Sequence, residues 1–191
     1  VSWQDKRGGV DDDIYGTHVD AGHNIISPGS GVAIVVEGGT QSAKSIEYAG
    51  NNEAFICWSD SRLGENIDIY GQRLNMSMES LFDGNGIPIA NTPGLETRPR
   101  TTFVNNTTSF VTWKSGDDNA RILYQFIDQD GLVFAEPKSV SGFDAIQTSP
   151  RVKRSSDGEI FIQWKDLRFD PVDGDIFMQK IGTPFGMSSM V

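Results

Sequence analysis

Four tryptophans recur along this chain at a nearly fixed interval. Trp3, Trp58, Trp113 and Trp164 stand 55, 55 and 51 residues apart, and their surroundings recur with them. Val1, Trp3, Asp5 and Arg7, followed by Asp13, Ile14 and Tyr15, return as Ile56, Trp58, Asp60 and Arg62, followed by Asp68, Ile69, Tyr70 and Gln72. The fourth copy repeats them as Ile162, Trp164, Asp166 and Arg168, then Asp175, Ile176, Phe177 and Gln179. The third copy keeps the interval and loses the phrase, carrying Ser115, Asp117 and Arg121 where the others carry Asp, Arg and Asp. A period near 50 residues means that one supersecondary unit is reused, with neighbouring units burying a common core.

The second copy shows what that unit is. A Gly50 to Glu53 turn precedes a β-branched and aromatic run, Ala54 to Ser59; turn formers fill Asp60 to Asn66; a second strand pattern runs from Ile67 to Leu74. Along that second strand a period of two sets Tyr70, Gln72 and Leu74 on one face. A turn at Asp83 to Gly86 leads to a short strand, Ile87 to Ala90, and the third copy is expected to match it with Asp128 to Gly131 and Leu132 to Ala135. Four short strands per repeat, with no helical period, predict an all-β fold: a β-propeller of four-stranded antiparallel blades of about 50–55 residues. An immunoglobulin-type sandwich would not repeat its sequence in this way. Residues 1–191 read as one propeller unit, or part of a larger one, of about three and a half blades. Each Trp, with the aliphatic residue two before it, is expected to pack between blades, and the Asp and Arg after it to tie the hairpin turn.

Composition narrows the partners. With 26 Asp and Glu against 16 Lys and Arg, the formal charge is −10. That field repels phosphate backbones and anionic lipid, so nucleic acid is excluded as an expected partner. No apolar run approaches the ~20 residues of a helical membrane span, which argues against membrane insertion. Cys57 is the single cysteine, and its place between Ile56 and Trp58 predicts a buried, inert thiol.

The Trp-x-Asp-x-Arg turn followed by Asp-Ile-Tyr-x-Gln resembles blades of secreted and cell-surface bacterial β-propeller proteins, often large and multidomain. The resemblance spans most of the chain. It implies an extracellular or cell-surface location, with another protein or the rest of a longer parent chain as partner. A start at Val1, inside a repeat, fits a piece of something longer. The Asp-box of sialidases and the Gly-His and Trp-Asp signatures of WD40 repeats are missing from the sequence.

No catalytic constellation stands out. His18 and His23 are the only histidines, and no Ser or Cys recurs beside them. Carboxylates are plentiful enough for a glycosidase pair, but sequence does not show which two converge. Acidic turns at Asp11, Asp12 and Asp13, at Asp117 and Asp118, and at Asp173 and Asp175 offer hard oxygen ligands for Ca²⁺. Arg98, Arg100, Arg151, Lys153 and Arg154 fall on the first strands of their repeats, which line the channel of a propeller, and form a candidate strip for an anionic sugar or a partner carboxylate. The expected function is a non-enzymatic module for protein or glycan contact or structural assembly. A secreted carbohydrate-active enzyme, of glycoside hydrolase or sialidase-like type, is the alternative.

Overall fold

A computed structural model describes residues 1–64 and 66–182; the last nine residues of the expected unit lie outside the described residues. The fold is an all-β propeller, built from four antiparallel sheets in chain order. The first contains β1 (Ser2–Asp5), β2 (Asp13–Gly16) and β3 (Val32–Val35). The second contains β4 (Gln41–Tyr48), β5 (Glu53–Asp60), β6 (Asp68–Asn75) and β7 (Ile87–Ala90). The third contains β8 (Glu96–Asn105), β9 (Thr108–Ser115), β10 (Arg121–Asp128) and β11 (Lys138–Ser139). The fourth contains β12 (Gln147–Arg154), β13 (Ile160–Asp166) and β14 (Asp175–Ile181). Three, four, four and three strands make the expected three and a half blades.

Trp58, Trp113 and Trp164 do pack between blades, whereas Trp3, in the first sheet, is only partly buried. Trp58 is fully buried among Ile14, Ile34 and Val35 of the first sheet and Tyr70 and Leu74 of its own. Trp113 lies among Phe55, Cys57 and Ile89 of the second sheet, and Trp164 against Val104, Phe110 and Ile122 of the third. Each indole therefore closes the seam to the preceding blade, which explains why the interval matters more than the intervening sequence. Gly86, at φ 91°, makes room for one of them: a Cβ there would come within 2.5 Å of the Trp58 ring. Gly31, 55 residues earlier and at φ 77°, does the same for Trp3. Burial also holds the Cys57 thiol far above its usual pKa, so it is inert packing.

One strand falls elsewhere than expected. The third blade's outer strand is Lys138–Ser139, whereas at Leu132 to Ala135 only an isolated bridge forms, from Val133 to Ile127. The Asp128 turn is the counterpart of an earlier turn in the second blade, the one at Asn75. Asn75 Oδ1 accepts from the amides of Ser77 and Glu79, and Asp128 Oδ1 accepts from those of Asp130 and Leu132. The same side-chain turn follows the third strand in both, and the outer strand comes later.

Inner strands β4, β8 and β12 lie side by side, as the lining of a propeller channel should. β8 is stitched to β4 by Thr101 N–H donating to Ser45 Oγ at 3.3 Å, and meets β12 where Arg98 reaches Ser149 Oγ at 3.5 Å. All three are bulged at the same place, between Ser42 and Ser45, Thr97 and Arg100, and Thr148 and Arg151. β1 and β14 lie at the edges of different sheets, so among the described residues the two terminal strands do not pair with each other.

Candidate functional site: the hairpin knots and the channel wall

The repeated Trp, Asp and Arg form one knot per blade. In the second blade the Asp60 carboxylate accepts Trp58 Nε1–H at 2.7 Å, the Arg62 amide at 2.9 Å and the Arg62 guanidinium at 2.6 Å. Arg62 then lies 4.1 Å over the Tyr70 ring and donates to the Asn85 carbonyl. Trp164, Asp166 and Arg168 repeat this, with Arg168 over both Phe143 and Phe177. Trp3, Asp5, Arg7 and Tyr15 repeat it again. Asp60 and Asp166 are 1% and 0% exposed, so every lone pair is spent inside the fold and none is left for substrate.

A glutamine completes the knot from the first strand. Gln41 Nε2 approaches Asp60 at 3.5 Å, and Gln147 Nε2 donates to Asp166 at 3.2 Å. The third blade has exchanged these roles. Glu96 stands at the glutamine position, opposite Ser115 at the aspartate position, and its Oε1 accepts Ser115 Oγ at 3.0 Å and Thr92 Oγ1 at 2.6 Å. Of the two facing positions on the first and second strands, one carries the carboxylate and the other does not, which avoids a second charge directly opposite Glu96, itself 2% exposed. The exchange leaves Trp113 Nε1 and Glu96 Oε2 buried without a hydrogen-bond partner. The degenerate third phrase is thus a compensated substitution rather than an opened loop.

Electrostatics follow from these contacts. The Arg168 guanidinium, helped by Trp164 and Gln147, holds the Asp166 carboxyl well below the usual carboxylate range. Asp68, buried beside Glu96, is pushed the other way, mainly by desolvation. A depressed folded pKa contributes stability above the unfolded value near 4 and loses it as pH falls. Asp166→Asn is therefore expected to flatten the acid-side loss of stability, narrowing the gap between melting midpoints at pH 7 and pH 3. An unchanged gap would show that Asp166 does not drive it.

The acidic turns stand apart. Asp11, Asp12 and Asp13 share one turn, but Asp13 is buried and accepts the Glu37 amide. Asp117 pairs with Lys114, Asp118 is exposed, and Asp173 donates its amide to Asp170. Asp175 faces Asp166 across the hairpin. Among the described residues, no group of three or more His, Cys, Asp or Glu side chains converges as metal ligands. A thermal melt in millimolar Ca²⁺ against excess chelator tests the acidic turns, because an ion bound to the folded state raises the midpoint and an unchanged one rules out accessible sites.

The basic residues are brought together in part. Arg98, Arg100 and Arg151 cluster where β8 meets β12: Arg100 is half-buried, and desolvation, joined by the charges of Arg151 and Arg98, lowers its pKa. Arg100 donates to the Pro99 carbonyl at 2.8 Å and Arg151 to the Pro150 carbonyl at 3.0 Å. Lys153 and Arg154 lie at the other end of β12. There Arg154, Tyr48, Gly50, Asn105 and Asn106 line a hollow of about 720 Å³. Sequence reasoning missed Tyr48, which is 56% exposed and closes β4; an aromatic followed by Gly and Asn at a strand end was the available signal.

The comparisons agree with this architecture. The chain is similar in structure to an endo-arabinase from Bacteroides thetaiotaomicron VPI-5482, at TM-score 0.58 and 14% identity over 96% of this chain and 70% of that one. It is similar to a thermostable family-43 glycoside hydrolase at TM-score 0.56 and 11% identity, over 95% and 67% of the two chains. At these identities the likeness establishes a shared propeller fold. No family model matches the sequence, and no curated protein matches it.

Proposed function

We propose that this chain is a carbohydrate-active β-propeller module, which binds a glycan at the ends of its inner strands. The observation that carries this reading is the hollow beside Tyr48, where an exposed ring stands next to the Asn105 and Asn106 amides and to Arg154, which has no ion-pair partner among the described residues. A sugar presents C–H faces to an aromatic ring and hydroxyls to amides, and few other ligand classes need both within one open site. The fold shared with two glycoside-cleaving enzymes supports the same direction. Isothermal titration against a panel of oligosaccharides tests it. At least one is expected to bind, with Tyr48→Ala weakening it about tenfold or more, as loss of a well-packed contact of roughly 1.4 kcal/mol implies. No binding across the panel would overturn it.

Hydrolysis is the second reading, favoured by the fold likeness alone. A glycosidase needs two carboxyl groups flanking the scissile bond. On the inner strands the carboxylates are Glu47 and Glu96, and Glu96 is buried in its knot. Binding without cleavage is therefore preferred, and release of reducing ends from the bound glycan would reverse that order. The resemblance of the blades to secreted and cell-surface proteins supports a place outside the cell. Among the described residues β1 and β14 carry no strand on their outer edges, which supports attachment to another protein or to the rest of a longer parent chain, since open edges seek strands.

A further inference from the structure

The charge of the channel wall is opposite to that of the body. Strands β4, β8 and β12 carry Lys44, Arg98, Arg100, Arg151, Lys153 and Arg154 against Glu47 and Glu96, in a chain of net charge −10. With 26 carboxylates available, Arg98, Arg100 and Arg151 have no ion-pair partner among the described residues, although Arg7, Arg62, Arg73, Arg121 and Arg168 each have one. Three like charges gathered without a counter-ion cost free energy in the empty protein.

The backbone beneath them is strained in register. Ala43, Arg98 and Ser149 hold φ values of 48°, 57° and 56°, left-handed conformations at the bulge of each inner strand. Each is a sparsely populated conformation for a non-glycine residue, and here it recurs at intervals of 55 and 51 residues. A bulge re-aims the side chains around it. The result on β8 and β12 is a repeated Pro-Arg step, in which Arg100 and Arg151 each spend one guanidinium N–H on the preceding proline carbonyl and keep the rest of the fork free.

We infer that the bulges of β8 and β12 form a carboxylate-binding site, and that the glycan taken by the channel is an acidic one bearing uronate groups. This rests on the glycan reading above and extends it along the same channel wall, since the bulges lie on β8 and β12 before the strand ends that line the Tyr48 hollow. A guanidinium fork matches a carboxylate in bidentate geometry. The acidic body repels polymers of high charge density, such as nucleic acid or heavily sulfated chains, while a spaced series of single carboxylates suits three guanidiniums.

Titration with trigalacturonate and with its carboxyl-reduced, neutral counterpart tests the inference, using Arg98→Asn, Arg151→Gln and Tyr48→Ala variants. Arg98 and Arg151 are exposed, and asparagine tolerates the left-handed backbone, so both variants should fold; circular dichroism checks this. The acidic trimer is expected to bind at least tenfold tighter than the neutral one, with affinity falling as salt rises. Each arginine variant should cost the acidic trimer about 10- to 100-fold and leave the neutral one unchanged. Equal binding of the two trimers, still weakened by Tyr48→Ala, would overturn the acidic site and leave the glycan reading standing. Acidic binding indifferent to both arginine variants, or displaced equally well by inorganic sulfate, would overturn it too. Binding of neither trimer, nor of any panel sugar, would overturn both.

Discussion

Trp58→Ala is expected to destabilise the protein by about 3–5 kcal/mol, the range for removing a large buried ring that its surroundings do not collapse to fill. The surroundings here are stiff. Ile14, Ile34 and Val35 come from one sheet and Tyr70 and Leu74 from the next, so closing the gap would require two hydrogen-bonded sheets to move together. The substitution also strips Asp60 of its 2.7 Å donor in a site 1% exposed, which adds a desolvation cost to the cavity cost. Urea unfolding would measure it. A variant within about 0.5 kcal/mol of the parent would mean that the blades are not held by the indole at their seam. Trp3→Ala should cost less, because Trp3 is only partly buried.

That seam was legible in the sequence for a physical reason. Trp, Asp and Arg at fixed spacing survive in three blades because each knot is local: its residues lie on one hairpin, and the ring, carboxylate and guanidinium meet within a few residues of chain. Contacts between strands of different repeats left weaker traces. Nothing in Ala43, Arg98 or Ser149 announces a left-handed backbone, and Pro99 and Pro150 argue for extended residues before them; the bulge is imposed by pairing with the neighbouring strand. The outer strand of the third blade is not legible at its true place, because Asp128 to Gly131 reads as any turn and only the register shows it to be the counterpart of the Asn75 turn. Of the candidate site, the inner-strand arginines were visible as charges on the first strands. The hollow at Tyr48 was not, since it joins the ends of β4, β8 and β12 from three repeats.

Ser115→Asp, which would restore the repeated phrase in the third blade, is expected to destabilise the protein by about 3–5 kcal/mol at neutral pH, as an uncompensated buried charge does. Ser115 pairs directly with Glu96, so the new carboxylate would face an existing one that is 2% exposed, with buried Asp68 close by. One of the two would have to hold a proton, its pKa raised in the folded state, so the loss should shrink as pH falls toward 4 and below. Adding Glu96→Gln should recover most of it. The pair then matches Gln41 with Asp60 and Gln147 with Asp166, and the new aspartate gives Trp113 Nε1, now buried without an acceptor, the partner that Trp58 and Trp164 have. Recovery should stop short of a gain, because Asp117 stands where the other blades supply the knot's arginine. Unfolding free energies of the parent, both single variants and the double variant close the cycle. A single Ser115→Asp variant as stable as the parent, or a double variant no better than that single one, would show that the two positions do not share one carboxylate between them.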